Sequence, residues 1–69
     1  MVYIYTMKAK DIKVELEKGV QFSNERADWY TINRPQEGLR MLCIRGENKF
    51  FKNMDSYAKR ICRLIKVGA

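Results

Sequence analysis

The sequence predicts a single α+β domain over residues 1–69, with a small antiparallel sheet of about three strands covered by a C-terminal amphipathic helix. Two apolar segments, LRMLCIR and KFFK, flank a short polar turn. In the C-terminal segment, apolar residues recur with the period of a helix. A hydrophobic content of 46% excludes a disordered chain. At 69 residues the apolar core has to be small.

The N-terminal segment fits two kinds of element. Ile12, Val14 and Leu16 alternate with charged residues as in a strand, while Ile12 and Leu16 also share one face of a helix. Thr6 as an N-cap and Gly19 as a C-terminal stop favour a short helix, and the strand stays open as an alternative.

The middle of the chain reads as three strands. ADWYTIN has the aromatic and β-branched content of a strand, and RPQEG breaks it with turn residues. LRMLCIR is apolar on both faces, which predicts the central strand. A loop of about three residues, Gly46-Glu47-Asn48, then leads into KFFK and predicts a hairpin.

The C-terminal segment predicts an amphipathic helix. Asn53 suits the N-cap, Asp55 lies in the first turn, and Gly68 follows the last turn. At 100° per residue one broad side holds the apolar residues Met54, Tyr57, Ala58, Ile61, Cys62, Leu64 and Ile65. The four basic residues Lys59, Arg60, Arg63 and Lys66 fall on an arc of about 120° on the other side.

The net charge of +6 is confined to one half of the chain. Residues 1–33 contain equal numbers of acidic and basic residues, whereas residues 34–69 contain nine basic residues against Glu37, Glu47 and Asp55. Such asymmetry favours a polyanionic or acidic partner, although a solvated charged surface would also account for it. The candidate binding residues are Arg34, Arg40, Arg45, Lys49 and Lys52 in the strand and turn region, and Lys59, Arg60, Arg63 and Lys66 on the helix.

The sheet offers a second route to nucleic acid. If Leu42 and Ile44 face the helix, the alternation of side chains directs Leu39, Met41, Cys43 and Arg45 to the other face. Exposed rings could stack on bases beside such a surface, and the ring candidates are Trp29, Tyr30, Phe50 and Phe51. Trp29, Phe50 and Phe51 are more readily explained as core residues, because so short a chain has few other large side chains.

We therefore expect a non-catalytic binding module, nucleic-acid-binding or regulatory, that contacts phosphates through its C-terminal half. The alternative is a protein-interaction module, an adaptor or inhibitor, whose basic face docks on an acidic surface of a larger protein. This alternative includes a larger protein that itself handles nucleic acid. If LRMLCIR had an exposed edge, it could also pair with a second copy, so a homodimer is considered.

The composition disfavours catalysis, cofactors and membranes. The chain has no His, and its two cysteines cannot complete a zinc site. We expect Cys43 and Cys62 to be buried free thiols. Asp11 and Glu15 could resemble a carboxylate pair but read as solvated, and no glycine-rich phosphate loop is present. No apolar run approaches the roughly 20 residues that cross a bilayer, so a cytoplasmic protein without a membrane partner, metal or cofactor is expected.

Overall fold

The chain forms an α+β fold, as the sequence predicts. The computed structural model describes residues 7–24, 26 and 28–68. In chain order its elements are the helix α1 (Ala9–Glu17), the strand β1 (Trp29–Arg34), a 3-10 turn (Pro35–Glu37), the strands β2 (Leu39–Ile44) and β3 (Glu47–Phe50), and the helix α2 (Met54–Gly68). The three strands form one antiparallel sheet in the order β1-β2-β3.

Both helices pack on the same face of the sheet. β2 is the central strand, as predicted, and pairs along its whole length with β1 and over four residues with β3. The core lies between this sheet face and the helices and is formed by Ile12, Leu16, Phe22, Trp29, Leu42, Tyr57, Ala58, Ile61, Cys62 and Ile65. The arrangement is a two-layer sandwich of sheet and helices.

The N-terminal segment is helical, which settles the choice between helix and strand. Ile12 and Leu16 are fully buried, whereas Val14 is 50% exposed, as a helical face requires. The N-cap is Lys8, whose N–H group donates to the Asp11 carboxylate at 3.1 Å. The predicted cap Thr6 lies outside the described residues. Gly19 ends the helix as predicted, with a φ of 92° that favours glycine.

The hairpin turn differs from the prediction by position and length. Ile44 pairs directly with Glu47, so the loop has two residues rather than three and β3 begins at Glu47, two residues before the predicted segment KFFK. Arg45 and Gly46 occupy it with φ angles of 49° and 84°. Two consecutive positive φ angles define a type I′ turn, which matches the twist of the flanking strands. The Arg45 N–H donates to the Asp28 carbonyl at 2.8 Å, which holds the turn against the start of β1.

Two of the three aromatic residues assigned to the core lie there, and Phe50 does not. Phe50 lies opposite Met41 and is 68% exposed, so its assignment to the core is wrong. Trp29 is buried and Phe51 packs on Tyr57 with ring centroids 5.2 Å apart, so their core assignment is confirmed. The predicted burial of both free cysteines is also confirmed.

Helix α2 begins and packs as the sequence predicts. The Asn53 side-chain oxygen accepts a hydrogen bond from the Ser56 N–H group at 2.8 Å, which is the expected N-cap. The apolar side of the helix faces the sheet, with Tyr57, Ala58, Ile61, Cys62 and Ile65 buried. The helix includes Gly68, one residue further than predicted.

The side chain of Asn33 connects α1 to the sheet from inside the core. Asn33 is 2% exposed, and its amide nitrogen donates to the carbonyls of Leu16 and Val20 at 2.7 and 3.2 Å. Its backbone N–H donates to the Gln21 side-chain oxygen at 2.8 Å, and the Gln21 amide donates back to the Asn33 carbonyl at 2.7 Å. The Asn33 amide thus gives a second donor to the Leu16 carbonyl, which also accepts from the Gly19 N–H at 2.9 Å, and a donor to the Val20 carbonyl just beyond the helix.

The segment after α1 closes the outer edge of β1. The Thr31 N–H donates to the Phe22 carbonyl, and the Phe22 N–H donates to the Thr31 hydroxyl, both at 2.9 Å. Ser23 forms a single bridge with Tyr30 next to these bonds. The first strand therefore has hydrogen-bond partners on both sides.

Replacing the Asn33 amide by a carboxylate should weaken the whole fold. Asn33→Asp keeps the size of the side chain but removes two buried donors and turns a charge towards two carbonyls. We expect a loss of about 2–4 kcal/mol in the free energy of unfolding at pH 7. The loss relative to the wild type should shrink at pH 4, where protonation of the buried carboxyl restores one donor. Urea unfolding at both pH values measures this, and equal stability of the two proteins would contradict it.

The buried Tyr57 should make stability fall at alkaline pH. Its hydroxyl donates to the Met41 carbonyl, and burial raises its pKa to about 12. The unfolded chain loses this proton near pH 10, so the folded state loses stability as the pH rises from about 10 towards 12. Tyr57→Phe should cost about 1 kcal/mol at pH 7 and show a smaller alkaline decline. Urea unfolding of both proteins at pH 7 and pH 11 measures this. An equal loss in the free energy of unfolding of the two proteins between these pH values would contradict it.

Candidate functional site

The exposed side of α2 carries a row of three basic residues. Lys59, Arg63 and Lys66 are all exposed and follow one another at spacings of four and three residues, so they form one line on the helix. We call these three residues the α2 basic face. Arg60, the fourth predicted residue, is half-buried, and its Nε is buried without a hydrogen-bond partner among the described residues. It borders the face instead of belonging to its exposed centre.

The only acidic residue of α2 is paired with the other helix. The Lys13 ammonium lies 2.8 Å from the Asp55 carboxylate and joins α1 to the first turn of α2. This hydrogen bond, together with the attraction of the two charges, lowers the pKa of Asp55 and raises the pKa of Lys13. Asp55 also lies four residues before Lys59, whose charge contributes to its lowered pKa, so the ion pair with Lys13 balances the one carboxylate that borders the α2 basic face.

Arg40 is engaged inside the fold. Its Nε donates to the Phe51 carbonyl at 3.0 Å and its terminal nitrogen donates to the Lys52 carbonyl at 2.6 Å. These bonds fix the chain where it leaves β3 and turns towards α2. These bonds explain why the Arg40 guanidinium is half-buried, and no binding partner is needed to explain it.

The other basic residues of the strand and turn region are spread around the sheet. Arg34 ends β1 and approaches Glu37 at 3.8 Å, whereas Arg45 lies in the hairpin turn at the opposite end of the β1–β2 ladder. Five strand residues, about 17 Å, separate the two ends. Lys49 lies on the exposed strand β3 and Lys52 follows that strand. The structure does not bring these residues together into one cluster, and only the helix row is compact.

The second surface is the sheet face that points away from the helices. Trp29, Thr31 and Leu42 are buried beneath the helices, so the residues that alternate with them lie on the opposite face. This open sheet face consists of Tyr30, Ile32, Leu39, Met41, Cys43 and Phe50, with Arg34 opposite Leu39 and Asn48 opposite Cys43. No element in the described part of the chain covers it.

The open sheet face matches the predicted outward direction of Leu39, Met41 and Cys43. Tyr30, proposed as a ring for stacking, is 42% exposed there, and Phe50 is the more exposed ring. Ile32 was missed as a surface residue, although its place two residues from Tyr30 in an alternating strand is a sufficient signal. Arg45 does not belong to this face because it lies in the turn.

Comparisons with protein-family models, curated proteins and solved structures found no match to this chain. Neither helix, over the residues described, has the length and apolar character needed to cross a bilayer. Within the same residues, no three acidic residues or cysteines are grouped so as to hold a metal ion.

Removing the Asp55 carboxylate should change how the free energy of unfolding depends on pH in the acid range. A lowered pKa means that the ion pair stabilises the fold above the ordinary pKa of an aspartate, near 4, and that this contribution disappears as the pH falls through the lowered pKa. Asp55→Asn should thus be less stable than the wild type at pH 7 and equally stable near pH 2. Urea unfolding across this range tests it, and a constant difference at all pH values would contradict it.

Proposed function

We propose that this chain is a non-catalytic, cytoplasmic nucleic-acid-binding module, of a regulatory kind, that contacts phosphates through the α2 basic face. The observation that supports the proposal is the row Lys59, Arg63 and Lys66, exposed on one side of a helix whose only carboxylate is paired elsewhere. Clustered cations of this kind supply the sequence-independent part of nucleic-acid binding by releasing counterions from phosphates.

The dimensions of the row suit a phosphate backbone. Seven residues of helix separate its ends, which corresponds to about 10 Å at 1.5 Å per residue. Phosphates of one duplex strand advance about 3.4 Å along the axis per nucleotide, so the row extends over about three of them. Lys and Arg side chains are long and flexible enough to reach neighbouring phosphates from this helix surface.

The same geometry implies weak sequence selectivity. Phosphates carry no base identity, and the exposed rings of Tyr30 and Phe50 lie on the side of the sheet that faces away from α2. A strand held along α2 is therefore separated from those rings by the sheet itself. We expect binding without a marked preference among sequences, governed mainly by the density of negative charge.

The alternative partner is an acidic protein surface that docks on the same basic face, the chain then acting as an adaptor or inhibitor. Charge would steer such an encounter too, but its specificity would come from a shaped interface with buried anchor residues. The two partners differ in a simple property, because generic nucleic acid saturates the face only if phosphates are what it recognises.

Salt-dependent titration of three proteins tests the proposal. Fluorescence anisotropy with a labelled generic duplex and a labelled single strand is measured at about 50 and about 200 mM salt. Three phosphate contacts predict a slope near −3 for log affinity against log salt on the duplex, which is about a 40-fold loss over this range. The variant K59Q/R63Q/K66Q should lose both binding and slope.

The control variant K10Q/K18Q/R26Q removes the same charge from exposed positions outside the α2 basic face. It should bind like the wild type if the face is the site. Equal weakening of both variants would show that only net charge matters and would contradict the proposed site. No binding of either nucleic acid at the lower salt would overturn the nucleic-acid proposal and leave an acidic protein as the partner.

A further inference from the structure

The two edges of the sheet differ in whether their backbone groups have hydrogen-bond partners. The outer edge of β1 is bonded to the segment that contains Phe22, whereas the outer edge of β3 has no partner strand among the described residues. All four residues of β3 are exposed. An uncovered edge strand offers its backbone groups to another strand. The exposed edge is that of β3, and not of LRMLCIR, because β2 has a strand on each side.

The hairpin register shows which backbone groups are free. In a two-residue hairpin the residues that flank the turn, Ile44 and Glu47, form a hydrogen-bonded pair, and such pairs recur at every second position. The bond from the Phe51 N–H to the Arg40 carbonyl at 2.9 Å follows this alternation. The N–H and C=O groups of Asn48 and Phe50 therefore lie in the plane of the sheet and point away from β2, at its outer edge.

We propose that a second copy of this chain pairs with β3 in antiparallel orientation, with Asn48 opposite Asn48 of the second copy. In this register Glu47 of each copy lies opposite Lys49 of the other, and the symmetry produces the ion pair twice. The facing residues belong to a non-hydrogen-bonded pair, with Cα atoms about 4.5 Å apart. Opposite charges at directly facing positions stabilise a pair of strands.

The charges also disfavour the neighbouring registers. A shift by one symmetric step places Lys49 opposite Lys49 of the second copy, which sets like charges against each other. A further step places Lys49 opposite Phe51 of the second copy and leaves Glu47 without a facing cation. Charged residues on an edge strand usually discourage pairing, but here their opposite signs favour one register of self-association.

The helices leave room for this pairing. Strands in a sheet are about 4.8 Å apart, so the β2 strands of the two copies, three spacings apart in the joined six-stranded sheet, would be separated by about 14 Å. Each α2 contacts its own β2, where the Tyr57 hydroxyl bonds to the Met41 carbonyl. Packed helices need only about 8–10 Å between their axes, so the two α2 helices do not collide. The open sheet faces of the two copies become one surface.

Sedimentation and native mass spectrometry across a concentration series test the proposal. A four-residue edge buries little surface, so we expect a dimer with a Kd on the order of tens to hundreds of micromolar. E47K and K49E should each be monomeric at concentrations where the wild type dimerises, because each places like charges opposite each other. An equimolar mixture of E47K and K49E should form a heterodimer, since the facing charges are then opposite again.

Asn48→Pro provides a test that does not depend on charge. The Asn48 N–H has no partner among the described residues, so proline at this edge position should abolish the dimer and preserve the fold, which circular dichroism verifies. The proposal is overturned if the wild type stays monomeric at about 1 mM, the upper limit expected for so small an interface. It is also overturned if the single charge variants dimerise like the wild type, or if their mixture stays monomeric. These outcomes leave the nucleic-acid proposal unaffected.

Discussion

The buried amide of Asn33 is the contact on which the arrangement of layers depends. A polar side chain in the core of so small a domain costs stability unless it is hydrogen-bonded. The Asn33 amide nitrogen donates both to the end of α1 and to the segment after it, while its Oδ1 is buried without a partner among the described residues. It thereby fixes α1 above β1 and directs the following residues along the outer edge of that strand. One edge of the sheet is closed by the same interaction that places the first helix, and the other edge remains free.

Placing both helices on one face divides the molecule into two unlike sides. The helix side contains the apolar core and, on its outer surface, the α2 basic face. The opposite side is the open sheet face, which is apolar with two exposed rings. The ion pair between Lys13 and Asp55 strengthens the division, because it joins the helices and supplies a cation from α1 for the single carboxylate of α2, which otherwise attracts Lys59. Structure and charge distribution thus support the same proposed site.

The predictable parts of this fold are those with a strong local pattern. Helix α2 follows from the separation of apolar and basic residues around its axis, and β2 follows from a run that is apolar on both faces. The turn was misplaced because Arg45 adopts a positive φ, which a non-glycine residue seldom does and which no pattern around it announces. That displacement moved the start of β3. The burial of Phe50 was expected from the shortage of other large side chains, whereas the alternation of strand faces turns this ring to the open sheet face. The row on α2 could be predicted, whereas the separation of the other cations depends on strand register and on the bonds of Arg40 to the backbone.

The meander order of the strands has a consequence for how the chain assembles. Each strand pairs only with its neighbour in sequence, through the 3-10 turn or the two-residue loop, so the sheet requires no long loop to close. Helix α1 is different, because its contacts reach 17 residues forward to Asn33, and the carbonyl of Met7, just before the helix, contacts the thiol of Cys62, 55 residues further along the chain. Closing a longer loop costs more chain entropy, and contacts distant in sequence slow folding. From these sequence separations we expect α1 to dock on the core after the hairpins have formed.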